Sequence, residues 1–200
     1  FYLYFCKKFN IVFTAEDIIS IHTTKEFHRT AMKIFRYQFE HNEVYQKYCL
    51  LLQKDPSNVK HLNEIPFLPI EFFKSKEILS SNESIQETFT SSGTTGSAAS
   101  KHYVTDLSFY EYSFRNGFSK FYGNIEDYAV LALLPSYLER DGSSLIYMVN
   151  DLIESSNHPD SGFYLNDYEA LAKKLIELDS DGQNVILIGV TYALLDLIEL

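Results

Sequence analysis

Cysteine is scarce in this 200-residue sequence, and tryptophan is absent. The two cysteines, Cys6 and Cys49, are too few for a disulfide framework, and neither belongs to a CxxC pair of the kind that binds zinc. The sequence therefore excludes the disulfide-rich secreted class and predicts no metal site. A reducing cytoplasm is the predicted compartment.

Positive charge is also in short supply. The chain has 17 Lys and Arg residues against 27 Asp and Glu, a net charge of -10 at pH 7, and no basic stripe. Nucleic acid is therefore excluded as a partner, because phosphate backbones are bound by clustered Lys and Arg. The hydrophobic content of 46% and the charged content of 22% are those of an ordinary globular protein.

No apolar run is long enough to span a membrane. The aromatic opening is interrupted by Lys7 and Lys8, well short of the ~20 residues that a bilayer requires, and it lacks a small-residue cleavage site. Residues 1–22 are interpreted as an aromatic leader, either a buried edge segment or a loosely ordered extension. Because the sequence begins without Met and stops inside a helical pattern, we expect it to be a piece of a longer chain.

Residues 23–86 are predicted to form a helical section. Thr23 and Glu26 give a capping-box pattern at the start of a helix, and a second helix is predicted over residues 43–53. The apolar residues that recur on one face of the first helix are Phe27, Ala31, Ile34 and Phe35. Two prolines favour an extended path over residues 65–73, either a strap packed against a sheet or an ordinary connecting loop.

Strands alternate with helices in the rest of the chain. Apolar runs over residues 128–134 and 185–190 are typical of strands buried on both faces of a parallel sheet. Helices are predicted at residues 143–154, after a cap at Asn166 or Asp167, and from Tyr192 onwards. The predicted fold class is α/β: a helical N-terminal section followed by part of a parallel-sheet domain over residues 87–200.

A run without any bulky side chain lies between Phe89 and Lys101. Its hydroxyl groups can donate to phosphate oxygens, and its glycines let backbone N–H groups turn toward an anion. The run is neither a Walker A motif nor a GxGxxG motif. Composition alone favours a flexible linker. A binding loop is favoured instead by the elements on either side, which are strands predicted at residues 88–90 and 101–104 and a following helix capped by Thr105 or Asp106.

Residues 89–96 resemble the phosphate-binding motif of the adenylate-forming superfamily. Within this superfamily, further stretches are similar to the LuxE-type acyl-protein synthetases, namely residues 65–74, 100–104, 134–140 and 188–195. The resemblance as a whole extends over residues 25–200. The resemblance implies an adenylate-forming domain over residues 87–200, truncated at its C-terminus. The implied phosphate-binding residues are Ser91, Ser92, Gly93, Thr94, Thr95, Gly96 and Lys101. The wider superfamily has its Lys three residues after the last Gly and behind a Pro, whereas Lys101 lies five residues beyond Gly96 with no Pro between them.

The resemblance also implies a two-step reaction. A fatty acid and ATP, with Mg²⁺, give an acyl-adenylate and pyrophosphate, and the acyl group then passes to a protein thiol. An acyl-accepting protein such as a reductase is the implied partner. The acceptor cysteine is expected beyond residue 200, so neither Cys6 nor Cys49 is assigned as the nucleophile, and the chain by itself is expected not to turn over.

Three further residues are candidates for contact with the nucleotide or the substrate, although each could instead have an ordinary structural role. His102 either contacts nucleotide or substrate or is an ordinary strand residue. Ser136 and Tyr137 follow a predicted strand at its carboxyl end, where ligands gather in α/β sheets. Asp151 and Glu154 lie one helical turn apart and are interpreted as an exposed helix face.

Two other functions stay open on the sequence. One is an acyl- or aryl-CoA ligase of the same superfamily, in which coenzyme A replaces the protein thiol. The other is a non-catalytic interaction module in which the Ser/Gly run is only a connector.

Overall fold

The structure is a computed structural model that describes residues 14–91, 99–134 and 142–199. Its internal contacts divide the chain into two compact units, the first ending at Tyr110 and the second beginning at Glu111. Residues 87–110 thus belong to the first unit, whereas the sequence groups them with the parallel sheet. The domain bounds drawn from the sequence remain a prediction, and residues 1–13 of the leader lie outside the described residues.

The first unit is mainly helical. Its helices are α1 (Ala15–Ile19), α2 (Thr24–His41), α3 (Glu43–Leu51) and α4 (Phe72–Ser75), with a 3₁₀ turn at Leu62–Glu64. Two strands, β1 (Glu87–Thr90) and β2 (Lys101–Val104), pair antiparallel as a hairpin. The two helices and the two strands predicted from the sequence in this region are confirmed.

Helix α2 begins as the sequence pattern predicts. The Thr23 side-chain oxygen accepts a hydrogen bond from the Glu26 N–H at 3.2 Å, and the Glu26 carboxylate accepts one from the Thr23 N–H at 3.0 Å. Two N–H groups that the first helical turn leaves without backbone partners are satisfied in this way. The negative charge of Glu26 also lies at the positive end of the helix dipole, where it is stabilising.

The core of the first unit lies between α2 and α3. Its buried members are Met32, Phe35, Tyr45, Cys49 and Val59. Ile65 and Leu68 of the proline-rich strap pack against this core, and the Tyr45 hydroxyl donates to the Pro66 carbonyl at 2.7 Å. The prediction that the strap packs against a sheet is therefore wrong for residues 65–68, because the apolar surface of α2 and α3 receives them. It holds at the end of the strap, where Phe73 stacks on His102 of β2.

The apolar face predicted for α2 is only partly buried. Phe35 is 2% exposed, whereas Phe27 is 52% exposed, and Ala31 and Ile34 are of intermediate exposure. All four residues line an open cavity in the first unit. Periodicity identified an apolar face correctly, but an apolar face can line a cavity as well as a core.

The second unit is built on a small parallel sheet. Its elements follow α5 (Leu107–Tyr122) in the order β3 (Ala129–Leu133), α6 (Ser144–Ser156), β4 (Gly162–Phe163), α7 (Tyr168–Ser180), β5 (Val185–Gly189) and α8 (Thr191–Ile198). The strand order is β4-β3-β5, with both pairs parallel. This arrangement confirms the α/β class, and Asp167 caps α7 as predicted.

Burial differs between the two predicted strands of this sheet. Every residue of β3 is buried, as expected for a central parallel strand. Strand β5 is only of intermediate burial along its whole length, so the prediction that it is buried on both faces is wrong. The reason is its position at the edge of the sheet, where one neighbouring strand is lacking among the described residues. The short strand β4 was not predicted.

Thr23→Ala is expected to lower the free energy of unfolding of the first unit by about 1 kcal/mol, because it removes the hydrogen-bond acceptor that begins α2. Urea unfolding followed by circular dichroism measures this loss. Thr24→Ala, one position further on and exposed, is the matched control and should change stability by no more than a few tenths of a kcal/mol. Equal effects of the two substitutions would contradict the assignment of the cap.

Candidate functional site

The Ser/Thr/Gly run is closed at its base by the hairpin. The Ser91 N–H donates to the Ser100 carbonyl at 3.0 Å, and the Ser100 N–H donates to the Ser91 side-chain oxygen at 2.9 Å. These bonds continue the ladder beyond the Thr90–Lys101 pair. The run therefore connects two paired strands of one unit, which disfavours the interpretation as a flexible linker between domains.

Most of the predicted phosphate-binding residues lie outside the described residues. Ser92, Gly93, Thr94, Thr95 and Gly96 belong to this group. Their assignment to phosphate stays a prediction. Ser91, the first residue of the predicted set, is exposed at the base of the run.

Lys101 is the first residue of β2 and lies opposite Thr90 in the hairpin. It is exposed. A cation at the base of a loop rich in hydroxyl and N–H donors suits an anionic ligand, since charge and hydrogen-bond donors then converge. The hairpin thus brings Lys101 and Ser91 to the same end of the two strands.

His102 stacks on an aromatic ring of the proline-rich region. The rings of His102 and Phe73 are parallel within 7°, with centroids 6.1 Å apart. Desolvation lowers the pKa of the His102 imidazole below its usual value, although the residue as a whole is exposed. A neutral imidazole, which can both donate and accept hydrogen bonds, is therefore expected at neutral pH.

A cavity of about 240 Å³ opens beside His102. We call it the polar cavity after the hydrogen-bonded group that Tyr37, Gln38 and Ser80 form in its otherwise mainly apolar lining. The Ser80 hydroxyl donates to Gln38 Oε1 at 2.8 Å, and the Tyr37 hydroxyl donates to the Ser80 carbonyl at 3.1 Å. Sequence reasoning missed this group because Tyr37 and Gln38 of α2 are far from Ser80 in the chain.

The predicted pocket residues of the second unit are not brought into a described site. Ser136 and Tyr137 lie outside the described residues. They follow Leu133, the last residue of β3, and Leu134 is 1% exposed. The strand predicted to lead into them is confirmed, and their contact with a ligand stays a prediction.

Asp151 does not lie on a fully exposed helix face, as the spacing predicted. Its side chain is 15% exposed and makes a two-pronged ion pair with Arg115, with Nε to Oδ2 at 2.9 Å and a second bond from Nη2 to Oδ1. This ion pair raises the pKa of the Arg115 guanidinium. The expectation failed because the partner comes from α5, 36 residues away.

Two more residues extend this network between α5 and α6. Arg115 Nη1 lies 3.5 Å from Glu111 Oε2, and the Tyr147 hydroxyl donates to Glu111 Oε1 at 2.6 Å. The bond to the Glu111 carboxylate raises the pKa of Tyr147 to about 12. Each charge has a partner, so the network fastens the two helices together and is assigned no chemistry.

Cys49 is inaccessible in the core of the first unit. It is 0% exposed, and burial raises the pKa of its thiol. Thiol nucleophiles act as thiolates in accessible surroundings, so this site is unsuited to accept an acyl group. Cys6 lies outside the described residues.

Two kinds of feature are absent from residues 14–91, 99–134 and 142–199. No group of three or more His, Cys, Asp or Glu side chains is placed there to hold a metal ion. No helix in these ranges combines the length and the apolar character that crossing a bilayer requires.

The fold and the hairpin define an α/β protein that carries a Ser/Thr/Gly-rich run between two paired strands. A sequence model of the family described as "Acyl-protein synthetase, LuxE" matches residues 9–107. The long-chain-fatty-acid–luciferin-component ligase of Photorhabdus luminescens is 31% identical over 90 residues, which are 44% of this chain and 77% of that protein. The chain therefore belongs to the LuxE acyl-protein synthetase family. No solved structure matches it significantly.

The family match covers less of the chain than the resemblance read from the sequence. It ends at residue 107, close to the division between the units at Tyr110 and Glu111. It includes the strap, the hairpin and the Ser/Thr/Gly run. Ser136 and Tyr137 are outside it.

Cys49 is expected to stay unreactive in the folded protein. In a Cys6→Ser variant, a thiol-specific aromatic disulfide should label Cys49 slowly under native conditions and rapidly in denaturant, because the thiol is fully buried and its pKa is raised. The absorbance of the aromatic thiolate that the reaction releases measures both labelling rates. Rapid native labelling would restore Cys49 as a candidate nucleophile.

Arg115→Ala is expected to destabilise the second unit by about 1 kcal/mol, since it leaves the largely buried Asp151 carboxylate without its cation. Arg115→Lys should recover only part of the loss, because a lysine cannot form the two-pronged pair. Thermal unfolding gives both values. Lys120→Ala, at an exposed site on the same helix, is the control, and a loss as large as that of Arg115→Ala would refute the role of the pair.

Proposed function

We propose that this chain takes part in the activation of a fatty acid with ATP, as an acyl-adenylate, for transfer to a protein thiol. Membership of the acyl-protein synthetase family and similarity to a protein named as a long-chain-fatty-acid ligase support the proposal. The observation that carries it is the closed hairpin, which joins the two ends of the Ser/Thr/Gly run beside Lys101. A loop of this kind suits the phosphates of a nucleotide.

In the proposed first step, a carboxylate oxygen of the fatty acid attacks the α-phosphorus of magnesium-bound ATP. A new oxygen–phosphorus bond forms, the bond to the β-phosphate oxygen breaks, and pyrophosphate leaves with the bonding electrons. No general base is needed, because a carboxylic acid is already ionised at neutral pH. Catalysis is then a matter of position and charge stabilisation.

The residues of the run are assigned to the β- and γ-phosphates. Hydroxyl and backbone N–H groups from Ser91 to Gly96 would hold the oxygens that gain charge as pyrophosphate departs. Lys101 would add a compact positive charge at the base of the run. His102, neutral and stacked on Phe73, is assigned to the reacting end of the substrate.

In the proposed second step, a thiolate attacks the acyl carbon of the adenylate and AMP leaves. A thioester bond forms while the mixed anhydride breaks. Cys49 is unsuited to this role because it is fully buried. The acceptor is proposed to be a protein thiol other than Cys6 and Cys49, and Ser136 and Tyr137 remain proposed contacts to the bound substrate.

Lys101→Ala in the complete protein is expected to reduce fatty-acid-dependent ATP–pyrophosphate exchange by roughly 10²-fold, the usual loss when a group that stabilises developing charge is removed. Replacing Thr94 and Thr95 together by Ala should reduce it similarly. Lys25→Ala, an exposed lysine in the first turn of α2, is the charge-matched control and should leave the rate unchanged. Undiminished exchange in both the Lys101 and the threonine variants would overturn the proposal.

A further inference from the structure

An open apolar groove runs along α2 in the first unit. Its volume is about 390 Å³, within the range of roughly 300–1,000 Å³ that is usual for small-molecule sites. Phe27, Ala31 and Ile34 are the lining residues on α2, while Ile21 and Pro66 line the groove from outside this helix. The face of α2 that periodicity predicts to be buried therefore faces this groove.

The groove is suited to a hydrocarbon chain. None of the described residues that line it is an Asp, Glu, Lys, Arg or His. Phe67 of the strap, 78% exposed, extends the apolar surface at its rim. Burying apolar ligand surface there is favourable, while the lining offers no counter-charge to a polar or ionic ligand.

The groove adjoins the polar cavity beside His102. Four residues line both: Gln38, Asn42, Phe73 and Ile78. Among them Phe73 also stacks on His102, which directly follows Lys101 at the base of the Ser/Thr/Gly run. A ligand with a long apolar tail and one polar end would therefore meet apolar walls first and His102 at its polar end.

We propose that the apolar groove binds the tail of a long-chain carboxylic acid, with the carboxyl end directed past Gln38 and Asn42 toward His102. This inference rests on the proposed function and names the part of the chain that holds the acyl substrate. The proposed occupant is a single unbranched chain, because the uncharged walls of the groove adjoin the cavity that His102 lines. The acyl chain thus lies entirely within the first unit.

The first test measures how the intact chain binds octanoate, dodecanoate and hexadecanoate without ATP, by calorimetry below their micellar concentrations. Affinity should rise up to about fourfold for each added methylene until the groove is filled. Affinity that is absent for every acid, or that does not change with chain length, would overturn the proposal. This measurement depends on no substitution.

The second test fills the groove with Ala31→Trp. Ala31 lies on α2 at intermediate burial, so an indole there should occupy the groove and weaken hexadecanoate binding at least tenfold, with a smaller loss for octanoate. Glu40→Trp, at an exposed position on the same helix that lines neither cavity, is the matched control. Unchanged hexadecanoate binding in a folded Ala31→Trp protein would overturn the proposal. A change in the oligomeric state of this variant that fatty acids do not reverse would also overturn it.

ATP–pyrophosphate exchange, measured in the complete protein, separates this inference from the proposed function. Chain-length-dependent binding without exchange would support the groove and refute the activation of the acid. Exchange that proceeds with hexadecanoate equally well in the parent protein and in Ala31→Trp would support activation and refute the groove.

Discussion

The antiparallel pairing of β1 with β2 is the constraint on which the candidate site depends. It turns a run of small residues, which composition alone would describe as a linker, into the connection between two neighbouring strands. The Ser91–Ser100 bonds hold its ends together, and the same register fixes Lys101 and His102 in succession on β2. A loop with fixed ends loses less conformational entropy when it binds an anion than a free linker would.

The hairpin in turn contacts the helical part of the first unit through an aromatic stack. Phe73, the last residue of the strap, stacks on His102 and lines both the groove and the polar cavity. The strap reaches it by packing Ile65 and Leu68 on the core between α2 and α3. The position of His102 therefore depends on a core many residues earlier in the chain, which gives the proline-rich stretch a structural purpose.

Local signals in the sequence predicted local structure well. The Thr23 capping box, the Asp167 cap, the strands of the hairpin and the buried strand β3 are confirmed, because neighbouring residues decide them. Features that depend on distant partners were missed or mistaken. The exposure of β5 follows from its sheet neighbours, and the pairing of Asp151 follows from a residue on another helix.

The candidate site, like the fold, could be predicted only where neighbouring residues decide the structure. The composition of the run, rich in hydroxyls and glycines, indicated a loop, and the strands that close it are confirmed. The phosphate contacts stay a prediction. The polar cavity could not be predicted, because Ser80 meets Tyr37 and Gln38 only after the chain folds back on α2. Periodicity reported the apolar face of α2 without saying whether a core or a ligand would cover it. That ambiguity has a physical cause, since transfer of a methylene from water is favourable both into a protein core and onto a bound ligand. The folded structure is needed to distinguish a core from a ligand site, because it shows the walls and the open end of the groove.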